Sequence, residues 1–193
     1  MTTVYLARHA ESDWNVENRF QGSTDRPLTE RGREQARALA AELAGIPLAA
    51  VYTSPLRRAL DTARIVSAAQ GLTPVARPEL SEIDVGSWAG LSRGDVESRF
   101  PEAFRRWAGG GEGWEDGESY ASMSARVLDA IRRVAEEHPD GIVLVVSHGG
   151  PIRAVHAAAA RLDVYAHRRL RPVEPNARLS AVAVENGEIT RLD

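Results

Sequence analysis

Two histidines stand at the most informative positions in the chain, because each directly follows an apolar, β-prone run. Arg8-His9 comes after TVYLA, and His148-Gly149-Gly150 comes after GIVLVVS. A neutral imidazole is a competent nucleophile toward phosphorus once its second ring nitrogen is held by a hydrogen bond. Phosphoryl transfer spreads negative charge over three equatorial oxygens, so its catalyst must supply several positioned cations or N–H donors. His9 is therefore the candidate nucleophile, with Arg8, Arg58, His148 and the Gly149 amide as the available donors. All 24 basic residues are arginine, which removes P-loop, Schiff-base and lysine general-base chemistry. The absence of cysteine removes disulfides, thiolate nucleophiles and Cys-type zinc sites.

Taken singly, each of these residues has a bland reading. A strand-end histidine is usually a hydrogen-bonded packing residue, and by composition Arg57 is as good a ligand as Arg58. The all-arginine bias is explained equally well by genome composition. His138, His156 and His167 have no assignable role, and no H-x-x-x-H pattern or acidic cluster suggests a metal site.

The surrounding pattern predicts the elements that must position these groups. Thr29 caps a helix over TERGREQARALAAELAG, with Ala36, Leu39, Ala40 and Leu43 at helical spacing and Gly45 as its stop. AAVYTS predicts a strand. PLRRALDTARIVSAAQG predicts a helix capped by Ser54 or Thr53, with Pro55 in its first turn and Gly71 at its end. PVAR predicts a weak strand and Asp95–Phe100 a helix. AGGGEGWEDGES predicts a mobile surface loop, and Tyr120–His138 a long helix. GIVLVVS predicts a buried central parallel strand, followed by a helix that Pro151 opens. Asn186-Gly187 between alternating runs predicts a terminal hairpin. Strands alternating with helices imply an α/β three-layer α/β/α sandwich with a mostly parallel central sheet. Both histidine sites then open at the C-terminal edge of that sheet, where such folds bind ligands.

LARHAESDWNVENRFQGSTDRPLTERGREQA resembles the opening motif of the histidine phosphatase superfamily, also called the phosphoglycerate mutase-like family. SPLRRALDTA, LSEIDVGSWAGL and VVSHGGPIRA resemble its later motifs, in the expected order, and the resemblance runs from about Val4 to about Arg153. It implies that His9 becomes phosphorylated and that Arg8, Arg58 and His148 bind the phosphoryl group. It also implies that Asn15 and the Gln21-Gly22 turn line the same pocket. Only this resemblance chooses Arg58 over Arg57. Glu82 would be the general acid and then the base, although Glu79 and Asp84 lie close by. Ala10 stands where the family usually has glycine. No metal or organic cofactor is implied.

The resulting expectation is a cofactor-free phosphomonoesterase of the histidine acid phosphatase type, acting on a small phosphorylated metabolite through phosphohistidine on His9. A phosphoglycerate mutase is the nearest rival. Against it stand the short chain, Val85 where the mutases have tyrosine, and Arg93 where they have lysine. A non-catalytic phosphate-binding module is a third reading. Leaving-group contacts are expected from the region between Arg93 and Glu118, particularly Arg105, Arg106, Trp107 and Trp114; with Trp14 and Trp88, the last two tryptophans offer an aromatic mouth.

The 193 residues fit one domain, 1–193. A net charge of −3 with both signs interspersed makes nucleic acid an unfavoured partner. With no signal-peptide layout and no membrane-length apolar run, the expected location is cytoplasmic. The expected assembly is a monomer or homodimer.

Overall fold

The computed structural model describes residues 1–192. Its centre is the most apolar run in the chain, β4 (Ile142–Ser147), whose last five residues are all buried. Such a strand needs neighbours on both edges and cover on both faces. It lies between β1 (Thr2–Arg8) and β2 (Ala50–Thr53), parallel to both, in a six-stranded sheet of order β3-β2-β4-β1-β5-β6. β3 (Val75–Ala76) pairs parallel to β2 at one edge. β5 (Leu179–Glu185) runs antiparallel to β1, and β6 (Glu188–Arg191) closes the predicted hairpin. At its turn Asn186 and Gly187 have φ of 51° and 78°, the left-handed pair that a two-residue hairpin requires.

Side chains that alternate along the strands separate the two helical layers. Leu144, Val146, Val51 and Ala7 pack against α2 (Glu30–Glu42) and α3 (Arg57–Ala68). Val143, Val145, Val4 and Leu6 pack on the other face against α6 (Tyr120–Glu137) and α7 (Gly149–Ala159). Each valine or leucine among them taken out of water contributes about 1.5–3 kcal/mol. The architecture is thus the expected three-layer sandwich with a mostly parallel sheet. The Thr29 hydroxyl accepts the Gly32 N–H at 2.9 Å, as the predicted cap. Gly32 itself lets α2 press on the loop after β1, since a Cβ there would lie 2.1 Å from the Glu11 carbonyl.

Four short helices complete the described chain: α1 (Asp13–Val16), α4 (Arg93–Arg99), α5 (Pro101–Ala108) and α8 (Val164–Leu170). Three of them, α1, α5 and α8, are not anticipated by the sequence pattern. Three boundaries also differ. Helix α3 starts at Arg57 rather than Pro55, because the Ser54 hydroxyl accepts the Leu56 N–H and holds residues 54–56 in a turn. Helix α7 starts at Gly149 with His148 at its N-cap, two residues before Pro151, and α2 ends at Glu42, before Gly45.

The glycine-rich loop is seated rather than free. Trp114 is buried and its indole N–H donates to the Glu118 carbonyl at 2.8 Å. The Glu112 carboxylate accepts from the Tyr120 N–H and the Tyr165 hydroxyl. Gly113 lies so close to Trp88 that a Cβ would approach the ring to 2.3 Å. Acidic and glycine residues that read as solvated in the sequence are here the joints that let a tryptophan enter the core. Among the described residues no helix is long and apolar enough to cross a membrane.

Candidate active site

Parallel register brings the two histidine sites together. β1 pairs with β4 so that Arg8 faces Ser147, and the next residues on the two strands are His9 and His148. The His9 N–H donates to the Ser147 carbonyl at 2.8 Å, and the two imidazole centroids lie 5.1 Å apart.

His9 is 2% exposed. Its Nδ1 lies 2.8 Å from the Ala10 carbonyl oxygen. A carbonyl can only accept, so Nδ1 carries the proton and Nε2 keeps a lone pair. Burial, then Arg58, then Arg8, push the imidazole pKa well below the ordinary histidine value, which leaves His9 neutral. The turn that carries it is pinned from two sides. The Ala10 N–H donates to the Thr62 hydroxyl on α3 at 3.0 Å, and the Asn176 side chain donates to the His9 carbonyl at 2.9 Å.

Arg58 is 1% exposed and reaches the site from the first turn of α3. Its guanidinium donates to the carbonyls of Thr24 and Gly22 at 2.7 and 2.8 Å. Gly22 can offer that carbonyl because it holds φ of 51° and lies against Val85, where a Cβ would be 2.7 Å from a methyl group. Burial lowers the Arg58 pKa to about 10, still charged at neutral pH. Arg8 donates to the Glu174 carbonyl at 2.6 Å. Both arginines are thus held by neutral carbonyls and keep their charge available. The Nε of each is buried without a partner, and so are both ring nitrogens of His148. A buried polar group left unpaired costs about 1–3 kcal/mol, so this cluster is organised for a ligand rather than for stability.

These groups form one end of a cavity of about 500 Å³ whose lining includes Arg8, His9, Asn15, Gln21, Gly22, Arg58, Glu82 and Gly149. Every candidate site residue but one therefore lines the same space. The exception is His148, which is fully buried beside His9 and is not part of the cavity lining. Burial and the neighbouring Arg58 also push its pKa well down. Asn15 and Gln21 are oriented through Ser12, whose hydroxyl lies 2.9 Å from the Oδ1 of one and the Oε1 of the other. The Ser12 N–H donates to the Asn15 Oδ1 at 3.0 Å, which leaves the one hydroxyl proton for the Gln21 Oε1 and each amide NH₂ as the group left to donate.

Of the three nearby carboxylates, Glu82 alone lines the cavity. It accepts from the Gly150 N–H at 3.1 Å and the Ile83 N–H at 2.9 Å. Glu79 turns outward to Arg133, and Asp84 accepts from the Gly86 N–H. Arg126, which the sequence reading did not single out, clasps the backbone that carries Glu82. It donates to the carbonyls of Glu79, Ser81 and Glu82 and pairs with Glu118 at 2.7 Å.

The leaving-group end departs from expectation. Arg105 lies near Glu102, and Arg106 bonds Glu115 and the Gly113 carbonyl; neither lines the cavity. Both lie on the solvent side of α5. Trp14, Trp107 and Trp114 do line the cavity, while Trp88 is buried edge-to-face against Trp107 and Trp114. Besides Arg8 and Arg58, the arginines that line the cavity are Arg19, Arg93, Arg153 and Arg168. Arg153 had a signal in the sequence, since it follows Gly149 by four residues and shares its face of α7.

The chain is similar to characterised proteins over most of its length. It is 39% identical over 166 residues to phosphoserine phosphatase 1 of Hydrogenobacter thermophilus, covering 85% of this chain and 79% of that one. It is 38% identical over 162 residues to a 2,3-bisphosphoglycerate-dependent phosphoglycerate mutase of Gloeobacter violaceus, covering 80% and 74%. The structure of YhfR from Bacillus stearothermophilus superposes with a TM-score of 0.93 at 33% identity, covering 99% of this chain and 95% of that one. Residues 4–192 match the model of the histidine phosphatase superfamily, branch 1, and the chain belongs to that family.

Proposed function

We propose that the chain is a single-domain phosphoric monoester hydrolase of the histidine acid phosphatase type, acting without a metal on a small phosphorylated metabolite. On this reading it works in the cytoplasm as a monomer or two-fold dimer, with neither nucleic acid nor membrane as partner. The observation that carries the reading is the neutral His9, its Nε2 lone pair free, beside the guanidiniums of buried Arg58 and half-buried Arg8, whose Nε groups have no protein partner.

The chemistry balances in two steps. In the first, the His9 Nε2 lone pair forms the N–P bond as the P–O bond to the leaving group breaks, and Glu82 gives its proton to the departing oxygen. The Ala10 carbonyl, which accepts from Nδ1–H, stabilises the positive charge that grows on the ring. Arg8 and Arg58 hold the equatorial oxygens, and Asn15, Gln21 and the Gly149 amide supply further donors. In the second step water attacks phosphorus, the N–P electrons return to Nε2, and the Glu82 carboxylate takes the water proton. His148, whose ring lies 5.1 Å from that of His9 and has no protein partner on either nitrogen, supplies a further donor to the phosphoryl group.

The mutase reading shares the first step but returns the phosphoryl group to a substrate. The phosphoserine phosphatase relative favours water as acceptor, and the mutase relative keeps the alternative in view. The test is hydrolysis of p-nitrophenyl phosphate and a metabolite panel in excess EDTA, by the intact protein and by His9→Ala. Metal-independent release of phosphate, abolished in the variant, is the expected result. Phosphoglycerate interconversion that depends on 2,3-bisphosphoglycerate, with no net hydrolysis, would replace this reading with the mutase one.

A further inference from the structure

A second cavity of about 500 Å³ lies between the end of α7, α8 and the terminal hairpin, and the chemistry at His9 makes no use of it. Its inner wall carries an unsatisfied polar group. His167 on α8 is 8% exposed, and its Nδ1 is buried with no hydrogen-bond partner. His156 on α7 stands beside it, with ring centroids 6.3 Å apart and Nε2 2.9 Å from the Ser180 hydroxyl on β5. A buried nitrogen left unpaired lowers stability, so it is retained where a ligand completes it.

The rim is basic and the walls are apolar. Arg171, Arg178 and Arg191 line the cavity, and among the described residues no carboxylate lies within ion-pair distance of them. The one acid in the lining, Glu174, lies 3.6 Å from the His156 Nδ1. Burial lowers the pKa of both imidazoles, with Arg191 adding to the shift of His156 and Arg171 to that of His167. Leu162, Leu170 and Val173, three of the large apolar side chains that the fold leaves exposed, all border this cavity. Scattered exposed apolar residues are ordinary, whereas three on one concave wall match an apolar ligand body. Positive charge around an open space favours an anionic head, and the single Glu174 disfavours a doubly charged one.

This cavity also shares a wall with the catalytic one. Val173 lines both, and the Glu174 carbonyl accepts from Arg8 at 2.6 Å while its carboxylate faces His156. We propose that the second cavity binds a small amphipathic monoanion, and that its occupant loosens Arg8 by displacing Glu174. The anionic head repels the Glu174 carboxylate, and movement of that residue withdraws the acceptor that positions Arg8.

The probes are 4-phenylbutanoate, 4-phenylbutan-1-ol and 4-phenylbutylamine, which share one body and differ in the head. Calorimetry on the intact protein is expected to show the acid binding at least tenfold more tightly than the alcohol or the amine. Leu170→Glu, at an exposed position, and Arg178→Met each weaken the acid tenfold or more. Saturating acid raises the KM for p-nitrophenyl phosphate at least threefold in the intact protein and leaves that of Leu170→Glu unchanged. Equal affinity for the three probes, or acid binding that survives both substitutions, overturns the site. An unmoved KM overturns the link to Arg8, and an equal rise in Leu170→Glu shows competition at the catalytic cavity instead. Calorimetry judges the site whether or not the protein is a phosphatase.

Discussion

The two ends of the cavity are both built from arginine, yet they are constructed differently. At the His9 end, Arg58 is clamped by two backbone carbonyls and Arg8 by a third. Those anchors tie the end of β1 and the first turn of α3 to the loops that carry Glu174, Gly22 and Thr24. At the far end, Arg93 and Arg168 rest on the faces of Trp107 and Tyr120, and their elements α4 and α8 are seven residues each. Chemistry is thus set by the rigid core, and selection by short helices and a loop that can differ without disturbing it. Loss of a group at the first end should abolish turnover of every substrate. Loss at the second should change which substrate is preferred.

The largest expected effect is at the His9 end. Arg58→Ala removes charge from the transferring phosphoryl group and leaves the Gly22 and Thr24 carbonyls unpartnered, so kcat/KM should fall by about 10³-fold or more for all esters alike. A loss confined to anionic leaving groups would erase the distinction between the two ends. Glu82→Gln should come next, with kcat for alkyl phosphates down about 10²-fold in steady-state assays. p-Nitrophenyl phosphate should suffer less, because its leaving group departs without a proton. An equal loss for both would remove Glu82 from the role of acid.

Arg126→Met tests positioning rather than contact. It frees three carbonyls in the Glu82 segment, so kcat should drop about tenfold. The loss should again be larger for alkyl than for nitrophenyl esters, and KM should be nearly unmoved. A change in KM alone would contradict this role.

The smallest effect is on stability. His9 and His148 are both held neutral by burial, with pKa values depressed in the fold. The unfolded chain therefore binds protons that the folded one refuses below about pH 6.5. Stability contributed by the pair is fully present above that pH and falls as pH drops toward the depressed values. The slope they contribute is at most about 2.7 kcal/mol per pH unit. Urea denaturation of His9→Gln/His148→Gln should show a shallower acid limb, and an unchanged limb would place the titrating groups elsewhere.

The site was legible where local pattern and register coincide. An apolar run ending in His148, a β-prone run ending in His9 and a helical pattern between them suffice to place both imidazoles at one sheet edge. The hairpin at Asn186-Gly187 and the cap at Thr29 follow from turn and cap chemistry alone. What stayed hidden depends on contacts between distant segments. Asn176 holds the carbonyl of His9, 167 residues away in sequence, and nothing near Asn176 announces it. Arg126 and Arg168 are ordinary helix-surface arginines until the loops they hold are in place. The stretch AGGGEGWEDGES misleads because its composition signals solvent, whereas the single Trp114 within it carries enough apolar area to draw the middle of the loop inward.

The central claim is that His9 receives the phosphoryl group, and the direct measurement is rapid quench of the protein, mixed with a substrate it turns over, in alkaline denaturant, followed by intact-mass analysis at high pH. The account predicts a species heavier by one phosphoryl group, stable to base and labile to acid, mapped to His9 and missing from His9→Ala. A phosphoryl group found on another residue, or full turnover by His9→Ala, would contradict it.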